Sequence, residues 1–429
     1  MATETTVPPP AAMTFRQVLG LTVMRRVWYA QVVSLFGDFL ALFAVLSVVT
    51  YRMRGTPTQV TGVSIAYMAP IVVLGPLSGV FVDRWPIKPT LVSSDLIRAA
   101  LVLLLFAAGS LWQIYVILAA LSCVSSFFAP AQSVTIRTHV PPQGLISANA
   151  LMQMAMLIAR IIGPAAAGML VAAFGAAVCY AVDLVSFLAS AALIGSVAIQ
   201  RPPSADASRG APAGGGPKGT GAKRRIRALI EDMREGGSFI FHHAAVSFVV
   251  MAMAAGMFVI GCFGPLIAIW VREALHASAF VFGVVSAMVG VGMMFGMPAV
   301  RRISGRVSNA TLVLSGLAGI GVGALLLGAL PWAVASAFAC FTLGFTFAGV
   351  IVPAQTLLQR ETPHALMGRI SSTSMSVIFF GQLAGLILSG VLAQRLGVRA
   401  VFFLCAVLAW ILTGAGSLLL RTERHAQAL

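Results

Sequence analysis

Residues 91–135 read LVSSDLIRAALVLLLFAAGSLWQIYVILAALSCVSSFFAPAQSVT, an apolar stretch that is too long for one membrane-spanning helix. A helix of about 20 apolar residues crosses a bilayer, and the segment GSLW at residues 109–112 interrupts the stretch near its middle. The stretch therefore predicts two membrane spans joined by a tight turn. Asp95 and Arg98 lie three residues apart in the first span, so they share a helix face and are expected to neutralise each other.

The rest of the chain has the composition of a membrane protein. Of its 429 residues, 59% are hydrophobic and 9% are charged, and the mean hydropathy is +0.96. A soluble domain carries charge on about a quarter of its residues, so this composition excludes an ordinary soluble protein. Because the apolar surplus exceeds what a globular core can hide, we expect lipid to surround most of the chain.

Apolar runs of spanning length form two sets of six. The first set covers residues 28–49, 58–82, 91–110, 112–135, 147–172 and 175–198. The second set covers residues 246–270, 279–299, 310–329, 332–357, 370–393 and 399–420. The predicted fold class is an all-α membrane protein with twelve transmembrane helices in two pseudo-symmetric six-helix bundles. The predicted parts are a cytoplasmic N-terminal segment (residues 1–27), an N-terminal bundle (28–199), a cytoplasmic linker with an amphipathic helix (200–245), a C-terminal bundle (246–420) and a cytoplasmic tail (421–429).

Positive charge is concentrated on one side of the predicted membrane. An even number of spans puts both termini on the same side, where the flanks and loops hold 21 of the 28 Lys and Arg residues. Cytoplasmic loops carry such an excess, so both termini are predicted to be cytoplasmic. The net charge of +16 thus reflects membrane topology and not nucleic-acid binding. Its densest run, residues 223–234, predicts an amphipathic helix on anionic headgroups.

The two sets of spans repeat each other. Pro130-Ala131-Gln132 near the end of the fourth span recurs as Pro353-Ala354-Gln355 near the end of the tenth. Gly168 in the fifth span likewise corresponds to Gly390 in the eleventh. Repetition between halves is typical of transporter folds.

Several segments resemble the major facilitator superfamily of transporters. GVFVDRWPIK at residues 79–88 is similar to that family's loop signature between helices 2 and 3, and GPAAAG at residues 163–168 resembles its helix 5 antiporter motif. SLFGD at residues 34–38 and LIARIIGP at residues 157–164 are most similar to the branch of bacterial siderophore (enterobactin-type) and multidrug exporters. The resemblance implies a secondary active exporter of the bacterial cytoplasmic (inner) membrane. It would move small amphipathic compounds, drugs or siderophore-like metabolites, by alternating access with proton antiport.

The resemblance also implies a cytoplasmic gate. In that interpretation Gly79 permits close helix approach, and Asp83 accepts a contact from the start of the eleventh span near Arg369, with Arg137 as a rival partner. The expected gate residues are Gly79, Asp83, Arg84, Lys88, Arg137 and Arg369. The helix 5 motif contributes Gly163, Pro164 and Gly168. Pro164 has no amide hydrogen, so we expect it to bend the fifth span.

Charged residues inside the spans are candidates for the transport chemistry, because a charge at the bilayer centre costs about 2.5–3.5 kcal/mol. Asp38 and Arg160 lie near the middle of the first and fifth spans, and Asp183 lies about a third of the way into the sixth. Our hypothesis is that Asp38 and Arg160 face one central cavity. There Asp38 takes up a proton, and Arg160 pairs with it or holds an anionic group of the substrate. The alternatives are a static ion pair between helices and, for Asp183, a packing role.

The expected partners are a small-molecule substrate, protons and membrane lipid, with no nucleic acid, and the chain is expected to be a monomer. No His, Cys, Ser or carboxylate spacing indicates a metal site, a cofactor site or a catalytic triad. We therefore predict neither an enzyme nor a cofactor. Two alternatives use the same scaffold: a substrate sensor that does not transport, and a lysolipid flippase.

Overall fold

The computed structural model describes residues 12–82, 85–199, 231, 234–363 and 366–428. Within these residues, twelve helices are long and apolar enough to cross a membrane. Those of the first half are α1 (Thr22–Ser47), α2 (Pro57–Val82), α3 (Ile87–Ala107), α4 (Leu111–His139), α5 (Leu145–Phe174) and α6 (Ala176–Gly195). Those of the second half are α7 (Ala244–Glu273), α8 (Ala279–Ile303), α9 (Asn309–Ala329), α10 (Ala333–Glu361), α11 (Met367–Leu396) and α12 (Val398–Ala428). The predicted fold class is confirmed.

The turn predicted at residues 109–112 separates α3 from α4. The Ser110 side chain accepts a hydrogen bond from the backbone N–H of Gln113, and the Gln113 side chain accepts bonds from the N–H groups of Gly109 and Ser110. This capping box satisfies amide groups that the start of a helix leaves without intrahelical partners. It explains why a nearly continuous apolar stretch folds as two helices.

The two halves have matching helix pairings. In the first half, α1 packs on α5 and α6, α2 packs on α4, and α3 packs on α4 and α6. In the second half, α7 packs on α11 and α12, α8 packs on α10, and α9 packs on α10 and α12. The halves meet where α5 packs on α8 and α2 packs on α11, which are equivalent positions under exchange of the halves. The internal repeat in the sequence is thus a structural repeat.

The halves are joined at the face of the bundle opposite the chain termini, which we call the distal face: the segments around residues 50–57 and 272–278 and the C-terminal end of α11. Across it, Thr58 Oγ1 donates to Gln394 Oε1 at 2.5 Å. The guanidinium of Arg272 donates to the carbonyl oxygens of Thr50 and Gly55 at 2.7 and 3.0 Å. Deeper in this interface, Gly168 of α5 faces Gly283 of α8 so closely that a Cβ on either would meet backbone of the other helix. The distal face is therefore closed.

The terminal face, where α1 begins and α12 ends, differs at the residues predicted to form a gate. A Cβ built on Gly79, near the end of α2, would meet no atom of the described residues within 4 Å, and the same holds for Gly75 and Gly368. Among the described residues, a close glycine contact between α2 and α11 lies at Thr61 and Gly390, near the distal face.

Candidate functional site

A buried charge cluster lies inside the first half, between α1, α3 and α6. Its centre is the pair predicted from sequence, in which Arg98 donates to Asp95 Oδ1. Ser190 on α6 donates to the other carboxylate oxygen of Asp95 at 2.6 Å. Both oxygens of this fully buried carboxylate are therefore satisfied, as a buried charge requires.

Two aromatic rings enclose the guanidinium of Arg98. Its central carbon lies 4.6 Å from the ring centre of Phe128 and 4.4 Å from that of Phe187. Contacts of this kind stabilise a cation that has left water. Only 4% of the Arg98 side chain is exposed, and the acids and rings that contact it all belong to the first half.

Asp38 on α1 is the second carboxylate that pairs with the guanidinium of Arg98. Its Oδ2 lies 3.8 Å from Arg98 Nη1, a longer separation than that between Arg98 and Asp95. The Asp38 side chain is 20% exposed, whereas the Asp95 side chain is fully buried. Asp38 is therefore the more loosely held and the more accessible of the two acids that share Arg98.

Asp183 on α6 is the third acid of the cluster, and it packs against the residue that precedes Asp38. A Cβ built on Gly37 would lie 2.5 Å from Asp183 Oδ1, so only glycine leaves room for the carboxylate. Ser186 Oγ lies 3.3 Å from the same oxygen. Among the described residues no cation lies within ion-pair distance of Asp183.

The cluster thus holds three acids and one guanidinium: Asp38 and Asp95 contact Arg98, and Asp183 packs against Gly37, the neighbour of Asp38. If all three were ionised, the cluster would carry an uncompensated negative charge inside the membrane, which is costly. A site with more carboxylates than cations can change its charge by binding a proton. This arrangement is suited to proton exchange.

Arg160 does not belong to this cluster, contrary to the hypothesis that it faces the same cavity as Asp38. It lines a different cavity, of about 170 Å³, between the two halves. Among the described residues the cation within 4 Å of Asp38 is Arg98. The reason is rotation about the helix axis: Phe39, the residue after Asp38, faces the cavity of Arg160, while Asp38 faces α3.

The span predicted from sequence begins at residue 91, which puts Asp95 and Arg98 near its cytoplasmic end. The helix begins at Ile87, earlier than the predicted residue 91, so both residues lie near the middle of α3, and Arg98 can reach Asp38. The mutual neutralisation expected for this pair is confirmed, but the sharing of Arg98 with Asp38 was missed. The number of charges could have indicated this sharing. The predicted spans of the first half contain three acids and two arginines, so the acids cannot each have a cation of their own.

The expected gate residues are only partly described. Asp83 and Arg84 lie outside the described residues, as does nearly all of the predicted amphipathic helix at residues 223–234. Lys88 is half-buried and Arg137 is exposed. Arg369 Nη1, at the start of α11, donates to Glu235 Oε2 at 2.5 Å. Glu235 of the linker is thus one residue that binds Arg369.

The helix 5 motif mediates contacts of α5 on both sides. A Cβ on Gly163 would lie 2.6 Å from Phe39 Cβ of α1, and Gly168 faces α8. Pro164 lies within the continuous helix α5. The backbone carbonyl of Arg160, one turn before Pro164, lies beside Gly290 of α8. The motif therefore sets the distance between the halves next to the cavity that Arg160 lines.

Comparisons with known proteins agree with this architecture. The family model described as Major Facilitator Superfamily matches residues 27–386. The chain is 26% identical over 406 residues to a protein of Bacillus subtilis (strain 168) named uncharacterized MFS-type transporter YfiS, covering 92% of this chain and 91% of that protein. It is 24% identical over 401 residues to macrolide efflux protein A of Streptococcus pyogenes, covering 89% of this chain and 92% of that protein. The crystal structure of a mutant of the nucleoside transporter NupG has the same fold, with a TM-score of 0.69 at 14% identity over 92% of this chain and 99% of that one.

Proposed function

The chain belongs to the Major Facilitator Superfamily and is a multi-pass membrane transporter, not an enzyme, and we propose that it is a proton-coupled secondary exporter of small amphipathic compounds. The observation that carries this proposal is the buried charge cluster, in which Asp38, the more exposed of the two acids on Arg98, shares that cation with the enclosed Asp95. Export as the direction is supported by the relative named as a macrolide efflux protein.

The charge distribution supports a bacterial cytoplasmic membrane location with both termini inside. In that orientation the terminal face is cytoplasmic and the closed distal face is external. The conformation described above is then the inward-facing state of an alternating-access cycle. The outward-facing state would require the bonds of Arg272 and Thr58 across the distal face to break.

Proton binding at Asp38 supplies the link between chemistry and conformation. While Asp38 is ionised, its attraction to Arg98 draws α1 towards α3. A proton on Asp38 removes that attraction, and α1 also packs on α5, the helix that contacts the other half. A proton that enters down a membrane potential releases about 2.3 kcal/mol per 100 mV, which is sufficient to drive such a step.

The gate at the terminal face belongs to the opposite state of the cycle. We expect Asp83, with Arg84 and Lys88, to form this gate with Arg369 at the start of α11 in the state in which the distal face is open. Drug-like or siderophore-like compounds are the proposed substrates, taken up from the cytoplasm while the terminal face is open.

The test is a growth and efflux screen. Cells with and without the gene are exposed to a panel of toxic amphipathic compounds, including a macrolide, and the release of siderophores is measured in parallel. We expect lower accumulation of at least one compound in cells that carry the gene, and loss of this difference when a protonophore collapses the gradient. An accumulation difference that survives the protonophore would contradict proton coupling.

A further inference from the structure

The cavity of Arg160 lies at the meeting of the two halves and is almost entirely apolar. Its walls come from α1 and α5 of the first half and from α7, α8, α9 and α10 of the second. Phe39, Phe43 and Phe263 contribute aromatic surface. Among the residues that line it, two have polar side chains, Arg160 of α5 and Ser286 of α8.

Neither polar side chain has a partner among the described residues. Ser286 Oγ is buried and makes no hydrogen bond. Arg160 has no acid within ion-pair distance and no hydrogen bond in the part of the chain that the structure describes. A buried hydroxyl without a partner is unfavourable, and so is a half-buried guanidinium without a counter-charge inside the membrane. Two unsatisfied groups in one cavity therefore indicate a ligand that satisfies both.

The chemistry of these two groups selects the charge of that ligand. A guanidinium carries a positive charge at any physiological pH and offers only donors, in a planar fork that matches carboxylates, sulfonates and phosphates. A serine hydroxyl can donate to the same anion. Asp38 and Asp95 contact Arg98, and the residues that line this cavity include no carboxylate that would repel an anion or attract a cation.

We propose that Arg160 and Ser286 form an anion site, to which each half contributes one donor, for the acidic group of an amphipathic aromatic substrate. This assignment rests on the proposed transport function and names its substrate class. Pockets for drug-sized ligands have volumes of about 300–1,000 Å³, so a cavity of about 170 Å³ accommodates the head of such a molecule. The aromatic walls receive the ring next to the acidic group. Because the donors belong to opposite halves, the bound anion joins the halves where α5 meets α8.

The site is tested by equilibrium binding to purified protein in nanodiscs of zwitterionic lipid, with no pH gradient. Two fluorescent probes share one aromatic skeleton: anilinonaphthalene sulfonate carries an acidic group, and phenylnaphthylamine lacks it. We expect the wild type to bind the sulfonate at least about tenfold more tightly, because the charge-assisted bonds to Arg160 are made only with the anion. Equal affinity for the two probes, after subtraction of binding to empty nanodiscs, would overturn the proposal.

Variants locate the binding. Arg160→Gln is expected to weaken binding of the sulfonate by about tenfold or more and to leave phenylnaphthylamine within about twofold. Ser286→Ala is expected to weaken the sulfonate by about three- to tenfold. The matched control is Arg395→Gln, which removes the same charge from an exposed position at the end of α11. If Arg160→Gln and Arg395→Gln bind the sulfonate equally well, or if Arg160→Gln loses both probes together, the anion site is wrong.

Competition identifies the source of the anion. Displacement of the sulfonate probe by naphthoate supports a free aromatic acid as substrate. Displacement by lysophosphatidylglycerol, but not by lysophosphatidylcholine, supports an anionic lipid. Displacement by tetraphenylphosphonium and by neither anion would overturn the proposal. These binding assays need no proton gradient, so they still test the anion site if the protein proves not to be proton-coupled. Conversely, a failure to bind the sulfonate probe does not change the result of the proton-coupling assay.

Discussion

Arg98 Nη1 lies 3.8 Å from Asp38 Oδ2, between helices α1 and α3, while the same guanidinium also donates to Asp95. One guanidinium therefore pairs with two carboxylates that differ in exposure, distance and hydrogen bonding. Asp95 is buried and bonded on both oxygens, whereas Asp38 is partly exposed and lies at the longer distance. This inequality is the basis for assigning proton exchange to Asp38 and a structural role to Asp95.

Replacement of Arg98 by Gln is expected to destabilise the protein by about 3–5 kcal/mol. The cause is the buried carboxylate of Asp95, which would lose its cation and stay inside the membrane. Thermal unfolding of purified protein measures the effect, with Arg395→Gln as a control for the loss of one positive charge. An Arg98→Gln protein that unfolds at the wild-type temperature would show that the cluster does not contribute to stability.

Replacement of Gly37 by Ala is expected to impair transport and to cost about 1–3 kcal/mol of stability. The added methyl group would collide with Asp183 Oδ1 and with the side chain of Ser186. Gly75→Ala is the matched control, because its added methyl group would lie in open space on α2. If both variants transport equally well, transport does not require the packing of Asp183 against Gly37 of α1.

Replacement of Arg272 by Gln is expected to open the distal face more often. Arg272 holds the carbonyl oxygens of Thr50 and Gly55 across the halves, and a hydrogen bond from a charged group contributes about 1.5–3 kcal/mol. A cysteine in place of Thr61, which is buried against Gly390 near the distal face, reports this opening through its labelling by a membrane-impermeant thiol reagent. We expect at least about threefold faster labelling in Arg272→Gln.

The control for the distal face is Arg52→Gln, which removes an exposed charge from the same loop region. Labelling at the same rate in Arg272→Gln and Arg52→Gln would mean that the Arg272 bonds do not hold the halves together.

Much of the fold was predictable from sequence, because it depends on signals that are local or repeated. The turn at residues 109–112 contains its own capping residues, Ser110 and Gln113. The repeated Pro-Ala-Gln segments predicted two equivalent halves, and the helix pairings of the halves do match.

The partners of the buried charges were not predictable in the same way. Sequence gives the depth of a residue in a span but not the direction in which its side chain points. Asp38 and Arg160 have similar depth, yet Phe39 faces the cavity of Arg160 and Asp38 faces Arg98. Ser286 was missed because a single serine in a span has no distinguishing pattern, and only the packing shows that its hydroxyl lacks a partner.

Proton countertransport in liposomes tests the central claim, that Asp38 couples proton movement to substrate movement. Purified protein is reconstituted in vesicles that contain a fluorescent pH indicator, and a compound identified by the efflux screen is added under an imposed pH gradient. Wild type, Asp38→Asn and the control Glu361→Gln, an exposed acid at the end of α10, are compared. We predict that substrate dissipates the gradient with wild type and Glu361→Gln and does not with Asp38→Asn. Dissipation by Asp38→Asn at the wild-type rate would contradict the account.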